Sequence, residues 1–273
     1  MSLSPEIVTV LAIFQSAFTC PTWDTAQVLI IGTLLARGRR TWAAARRQMG
    51  RGDEPDFSLS HQVLNRASWS ARELSRLLLR ALITALVTSG GRLTFVIDEH
   101  LERRWGPSIR KRGHFRDWLL SSRKKSVSNS GLRWIGLRLV VNAPWTKHGV
   151  ALPVMSLLAP SPKVSQQLKQ RPKTVAHGAR QMITQVRPWL PGLPIRLLGD
   201  GASSVVALGW RCQQLGVRLI APLLLDAQLF APPPPSTGKQ RVGRPAQKGA
   251  RWPKLSAVLT NPQTHWEQVS VAW

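Results

Sequence analysis

The spacing of apolar and polar positions divides the chain into a helical first part and a second part richer in strands. Behind Ser70, leucines and alanines recur on one helical face as far as Leu82. Ser70 with Glu73 three positions later is the pattern of a capping box, in which the serine starts a helix. Residues 1–91 are predicted to contain four more helices, at Pro5–Phe18, Thr25–Ala36, Thr41–Met49 and Ser58–Arg66.

From residue 92 onward, short runs of β-branched and apolar residues predict strands. The strands are expected at Leu93–Ile97, Leu132–Asn142, Val150–Leu158, Ile195–Leu198 and Val217–Ala221. Helices are expected at Thr174–Trp189 and Ser203–Leu215. Three strands followed by helix, strand, helix and strand favour an α/β fold, in which a mixed sheet is flanked by helices.

Residues 223–273 have a different character. Four consecutive prolines at 232–235 are incompatible with a helix or a central strand. Lys239–Lys254 contains six basic residues and no acid, which indicates a loop or tether, and 271–273 has the pattern of a starting strand. We therefore predict three regions: a helical domain at 1–91, an α/β core at 92–222 and a proline-rich basic segment at 223–273.

Composition narrows the class of partner and of chemistry. The chain has 38 lysines and arginines against 13 acids, a formal net charge of +25, so an anionic partner is expected, most commonly nucleic acid. It has 12 tryptophans but no tyrosine, which excludes chemistry through a phosphotyrosine bond. Two cysteines and six histidines without metal-ligand spacing disfavour a zinc enzyme. The apolar stretches Ile7–Phe18 and Ala26–Ala36 are too short to span a bilayer.

Two aspartates stand out because acids are scarce. Asp98 and Asp200 each end an apolar run that predicts a strand. If those strands are parallel neighbours, both carboxylates emerge at the same edge of the sheet, where they can hold Mg²⁺ beside a phosphate. Each has a structural alternative when taken singly. Asp98 can accept hydrogen bonds at a strand end, and Asp200 can form a turn before a helix.

Two short helices and one basic segment are candidates for contacting nucleic acid. The helices at Thr41–Met49 and Ser58–Arg66 are spaced like a helix-turn-helix with a long loop, and an ordinary helical bundle with a basic surface is the alternative. Arg103–Arg133 has ten basic residues and one acid, and its alternative is a solvated loop. The candidate contacts are Arg39, Arg40, His61, Asn65, Arg66, Arg103, Arg104, Arg123, Lys124 and Lys125.

Several longer motifs resemble a known family. The aspartates lie in VIDEHLERRWG (96–106) and LLGDGAS (197–203), which occur with RDWLLSSRKK, SGLRWIGLRLVV, ALPVMSLLAPS, GRPAQKGARWPKL and, in the helical part, GRRTWAAARRQMG and FSLSHQVLNRASWS. Over nearly the whole chain, these segments resemble insertion-sequence transposases of the DDE superfamily. The resemblance implies a ribonuclease-H-like catalytic core after a helical DNA-binding domain, and it favours phosphate contacts by the basic segment.

The resemblance also implies a chemistry. It points to DNA cleavage and strand transfer with Mg²⁺, or Mn²⁺ as a substitute, held by an Asp-Asp-Glu triad in which Asp98 is the first acid and Asp200 the second. The family's glutamate lies on a helix beyond the proline-rich segment, and no such segment is found here. Asp226 and Glu267 are not expected to replace it, and Glu99 is expected to point away from Asp98.

The sequence therefore predicts a C-terminally incomplete transposase that binds DNA and, by itself, cuts it poorly or not at all. Its expected partner is double-stranded DNA at terminal inverted repeats, bound as a homodimer in the bacterial cytoplasm at the nucleoid. The alternative is a non-catalytic DNA-binding protein that occupies transposon ends and inhibits transposition. A basic RNA-binding protein would explain the charge but not the two aspartates.

Overall fold

The computed structural model describes residues 5–54, 58–88, 90–122, 124–203, 205–233 and 248–268. Its first part is helical, as the apolar spacing predicts. A 3-10 turn at Gln15–Ala17 separates the first two helices. The helices are α1 (Pro5–Ala12), α2 (Cys20–Leu35), α3 (Trp42–Gln48), α4 (Ser58–Asn65) and α5 (Ala71–Leu86).

The starts of α2 and α5 show how local sequence sets helix ends. α2 begins at Cys20 rather than at the predicted Thr25, because a proline in the first turn is tolerated where the N–H groups have no partner within the helix. At the start of α5, the Ser70 hydroxyl accepts the backbone N–H of Glu73 at 3.2 Å, as predicted. The Glu73 carboxylate binds Arg76, so the glutamate of the capping box has a different partner.

Close packing of α2 on α3 organises the helical part. Gly32 of α2 lies against the backbone of Ala45 in α3, and a Cβ at position 32 would lie 2.2 Å from the Ala45 carbonyl oxygen. Glycine is required there because no side-chain carbon tolerates that distance. The adjoining buried cluster contains Leu11, Trp23, Ala26, Leu29, Ile31 and Val63.

A mixed sheet forms the second part. It contains β1 (Leu93–Arg103), β2 (Gly113–Arg116), β3 (Ser128–Val141), β4 (Val150–Leu158), β5 (Ile195–Leu198) and β6 (Val217–Ile220). The strands lie in the order β2-β3-β1-β5-β6, with β4 paired to β3. β3 is antiparallel to β1, β5 is parallel to β1, and β6 is parallel to β5. This arrangement confirms the predicted ribonuclease-H-like class, a mixed α/β sheet preceded by helices.

The remaining helices follow the order that the sequence predicts, with additions. They are α6 (Pro162–Gln167), α7 (Val175–Val186), α8 (Val206–Gln214) and α9 (Leu255–Thr260). The apolar spacing predicts neither β2 nor α6, because each is too short to show a clear period. The division into three regions at 91 and 222 stays a prediction.

The sheet has two different faces. Leu93, Phe95 and Ile97 of β1 are almost fully buried in a core shared with Ala179 of α7, and we call this side the α7 face. Because side chains alternate along a strand, the even-numbered residues of β1 point to the opposite side. We call that side the Asp98 face, and its β1 residues are half-buried except His100, which is exposed.

The last region is described in part. Phe230 pairs with Arg251 in an isolated antiparallel bridge, and α9 follows. Prolines 234 and 235, the first half of the predicted tether (239–247) and the predicted strand start at 271–273 lie outside the described residues. Within the described ranges, no helix combines the length and apolar character needed to cross a membrane.

Candidate active site

Asp98 and Asp200 each follow the last residues that β1 and β5 pair in parallel. The parallel register of β1 on β5 ends with Val96 opposite Leu198. Asp98 lies two residues beyond Val96, and Asp200 lies two residues beyond Leu198. The expectation that the two aspartate-bearing strands are parallel neighbours is therefore confirmed, and both acids belong to one edge of the β1–β5 pair.

Asp98 does not end its strand, contrary to the sequence prediction. β1 continues to Arg103, because its second half pairs with β3 from Gly136 to Gly131. It is the parallel pairing with β5 that ends near Asp98. The carboxylate thus lies on a strand that stays fixed on one side by β3 and is open on the side where β5 has ended.

The Asp98 carboxylate is held by an arginine of β3. The Arg138 Nη1 donates to Asp98 Oδ2 at 2.8 Å. The Asp98 side chain is 49% exposed, so this ion pair is open to solvent and to a substrate. The second oxygen, Oδ1, accepts no hydrogen bond from any residue in the described part of the chain. The Asp98 carboxylate is therefore held through Oδ2, and its Oδ1 is left available to bind a ligand.

The Asp200 carboxylate is held by the turn that follows it. Its Oδ1 accepts both the backbone N–H and the hydroxyl of Ser203, each at 3.2 Å. Ser203 is fully buried. It fits there because residue 199 is a glycine. Any side chain at position 199 would bring a Cβ to 2.5 Å from the Ser203 Cβ. Asp200 itself is exposed, and its Oδ2 has no hydrogen-bond partner among the described residues.

No third acid joins the two aspartates within the described ranges, where no group of three or more acidic, histidine or cysteine side chains has the geometry of a metal site. Asp226 and Glu267 are both exposed. Glu99 pairs in register with Ile135 on the α7 face, away from Asp98, and its Oε2 is buried without a partner among the described residues.

Beyond Asp98, the long hairpin of β1 and β3 is braced by a buried acid. Asp117 accepts from Arg103 Nε at 2.7 Å and from Asn129 Nδ2 at 2.8 Å. The Arg103 guanidinium, helped by Asn129, lowers the pKa of Asp117 to about 2. The carboxylate of Glu102 pairs with Arg104 and accepts from the indole of a neighbouring tryptophan. Two of the predicted phosphate contacts, Arg103 and Arg104, thus already have acidic partners in this structure.

The other predicted DNA contacts belong to the helical part and to the basic hairpin. Arg39 and Arg40 are exposed between α2 and α3, His61 and Asn65 are exposed on α4, and Arg66 is exposed directly after it. The ring of His61 packs edge-on against an α3 tryptophan, with centroids 4.6 Å apart. In the basic hairpin, the side chains of residues 124 and 125 are exposed, and Arg123 lies outside the described residues. Their role as DNA contacts stays a prediction.

Sequence reasoning missed two residues of the site. Arg138 is one of two arginines in β3, and only the register with β1 brings it to Asp98. Ser203 follows Asp200 by three residues, and that spacing of an acid and a serine is the signal that could have predicted the turn.

Comparison with known proteins gives two findings. A family described as DDE superfamily endonuclease matches residues 14–273. The cryo-EM structure of a piggyBac transposase synaptic complex with hairpin DNA is similar to the chain with a TM-score of 0.34 and 10% sequence identity. The similarity covers 81% of this chain and 41% of that one, so this chain spans less than half the length of that transposase. No curated protein matches the chain.

Proposed function

The chain belongs to the DDE superfamily endonucleases, and on that premise we propose that Asp98 and Asp200 hold a divalent metal ion for cleavage and transfer of DNA strands. The observation that carries the proposal is that each aspartate lies two residues beyond the last paired residue of two parallel neighbouring strands. The reaction that we propose is that of an insertion-sequence transposase. The net charge of +25 supports DNA as the partner, because phosphate contacts dominate the affinity of proteins for DNA.

The donor atoms fit a small hard cation. Asp98 Oδ1 and Asp200 Oδ2 are carboxylate oxygens without a hydrogen bond to a described residue. Mg²⁺ prefers oxygen ligands and is commonly bound by one or two carboxylates together with waters and substrate phosphates. When bound, such an ion activates the attacking oxygen and stabilises the leaving one. We propose Mg²⁺ as the natural ion and Mn²⁺ as its substitute.

The protein residues around the pair have defined tasks in this proposal. Arg138 fixes the orientation of the Asp98 carboxylate, and Ser203 fixes that of Asp200. Arg138 is 29% exposed, so its guanidinium can also face a DNA phosphate at the same edge. The solvent side of the sheet edge is the place where the scissile phosphodiester would lie.

The expected rate of cleavage depends on whether a third acid joins the two aspartates. The resemblance to transposases predicts a glutamate as the third ligand, and no acid in the described ranges joins the pair. We propose that the two aspartates alone support slow cleavage, because loss of one metal ligand weakens both metal affinity and rate. The predicted homodimer and the recognition of terminal inverted repeats belong to the same proposal.

A nicking assay on supercoiled plasmid tests this function. With Mn²⁺, we expect slow conversion to the open circle by the chain and none by Asp98→Asn or Asp200→Asn. Asp53→Asn is the matched control, because it makes the same chemical change at an exposed acid between α3 and α4, in the helical part of the chain. Nicking at an equal rate by the Asp98 variant and the control would reject the catalytic role of the pair.

A second function is favoured by the absence of a third acid from the site in the described ranges. In that case the protein occupies transposon ends without cutting and inhibits the active transposase. A mobility-shift assay, read together with the nicking assay, separates the two functions. A non-catalytic protein would prefer terminal inverted repeats to scrambled duplexes, and Asp98→Asn would not change that preference. It would also nick DNA under no condition. Equal binding to repeat and scrambled duplexes would reject this second function.

A further inference from the structure

A large basic groove runs between α7 and α8. Its cavity volume is about 670 Å³. The lining includes Arg171, Lys173, His177, Arg180, Trp210 and Arg211. No acidic side chain lines it, and Asp200 is the only acid between residues 118 and 225 of the sequence. The groove is therefore a concentration of positive charge that the fold itself does not neutralise.

The groove is built on fixed backbone and oriented side chains. Arg133 Nη2 donates to the carbonyl of Lys173 at 2.8 Å and so anchors the segment before α7. Arg211 Nε donates to Thr184 Oγ1 at 3.0 Å, and its Nη1 donates to Gln214 at 3.1 Å. These contacts hold a guanidinium in place through neutral partners, so its charge stays available to a ligand.

Trp210 adds an aromatic surface to the same groove. Its side chain is 61% exposed, although burial of an aromatic ring is a major source of stability. A ring left open beside four cationic side chains is suited to pack on a sugar, while its indole N–H donates to a phosphate.

One turn connects the candidate active site with the helix that borders the groove. The turn at Gly201–Ser203, which orients Asp200, packs against α7. α7 contains 12 residues, so it is about 18 Å long. Duplex DNA carries one phosphate per strand for about every 3.4 Å of axis, so the length of α7 matches about five phosphates.

We propose that the groove between α7 and α8 binds the backbone of duplex DNA that continues from the strand held at Asp98 and Asp200. The proposal deepens the proposed function, because it takes DNA to be the substrate. The groove lies on the outer side of the helices that cover the α7 face, and its lining residues are different from the predicted contacts on α4 and on the β1–β3 hairpin. It therefore adds a DNA contact that controls the path of the duplex as it leaves the catalytic edge.

The test is the affinity for a 30-base-pair duplex, measured by fluorescence anisotropy in EDTA with the full chain. The variant Lys173→Glu/Arg180→Glu reverses two groove charges and leaves the backbone hydrogen bonds of both residues intact. The matched control is Arg72→Glu/Arg80→Glu, which makes the same change in net charge at two exposed positions of α5. Urea unfolding of both variants checks that each is folded.

We expect the groove variant to bind at least tenfold more weakly at 100 mM salt, and the control to change affinity by less than threefold. The slope of log affinity against log salt should fall by about two for the groove variant, because each lost phosphate contact removes about 0.9. Equal losses for both variants would overturn the proposal, as would a loss for an RNA duplex of the same sequence without a loss for DNA. A Mn²⁺ titration separates the two proposals, since groove variants should keep metal binding and the Asp98→Asn chain should keep DNA binding in EDTA.

Discussion

Replacing Gly199 by alanine should disturb the orientation of Asp200 without touching the carboxylate. A Cβ at this position would lie 2.5 Å from the Ser203 Cβ and 2.8 Å from its Oγ. Carbon atoms in contact are normally about 3.5–4.0 Å apart, so Ser203 would have to move by about 1 Å. Ser203 is fully buried, and overpacking of this kind costs about 1–3 kcal/mol of unfolding free energy. Both hydrogen bonds from Ser203 to Asp200 are already 3.2 Å long and would be lost.

Two measurements examine this prediction, urea unfolding for stability and Mn²⁺ titration for metal affinity. We expect Gly199→Ala to lose about 1–3 kcal/mol and to bind Mn²⁺ about 10–100-fold more weakly, the usual effect of losing a residue that orients a ligand. Gly209→Ala on α8 is the matched control, because its Cβ would meet nothing closer than 3.9 Å. Ser203→Ala should weaken metal binding less, since the backbone N–H still donates to Asp200. Unchanged stability and metal affinity in Gly199→Ala would refute the packing argument.

Three further predictions concern the fold. Gly32→Ala should destabilise the helical part by about 2–3 kcal/mol in urea unfolding followed by circular dichroism, because its Cβ would lie 2.2 Å from the Ala45 carbonyl oxygen. The pKa of Asp117, lowered to about 2, gives stability that is fully present above its ordinary value of 3.8 and is lost as the pH falls toward 2. Asp117→Asn should therefore flatten the dependence of unfolding free energy on pH between 2 and 5. Burial raises the pKa of the Cys212 thiol to about 11, so a disulfide reagent at pH 8 should label exposed Cys20 quickly and Cys212 only on unfolding.

The elements of the fold were predictable where a long periodic pattern coincided with a clear boundary. Ser70 gave the start of α5, and the five predicted strands all exist because their apolar runs fill the core on at least one face. The predicted start of α2 was wrong because Pro21 was treated as a break. A proline breaks a helix in its interior but is tolerated in its first turn. The end of β1 depends on pairing with β3, which lies more than 25 residues away along the chain.

The sequence allows the two acids of the candidate site to be predicted, but not the contacts that hold them. Scarcity of acids and position after apolar runs singled out Asp98 and Asp200, and the parallel pairing brings them to one edge. The contact of Arg138 with Asp98 could not be derived from the sequence, because it depends on strand register. The spacing of Asp200 and Ser203 does signal a turn, but its close packing depends on the space left by a glycine. Charge and the family resemblance predict Arg103 as a phosphate contact, and the structure pairs it with Asp117 across the hairpin.

Mn²⁺ binding followed by electron paramagnetic resonance tests the central claim most directly, because binding to the protein removes the signal of the free ion. The account predicts that the chain binds Mn²⁺, that Asp98→Asn and Asp200→Asn each weaken binding at least tenfold, and that Asp53→Asn has no effect. Binding of equal strength in Asp98→Asn, Asp200→Asn and the Asp53→Asn control would show that the two aspartates are not a metal site.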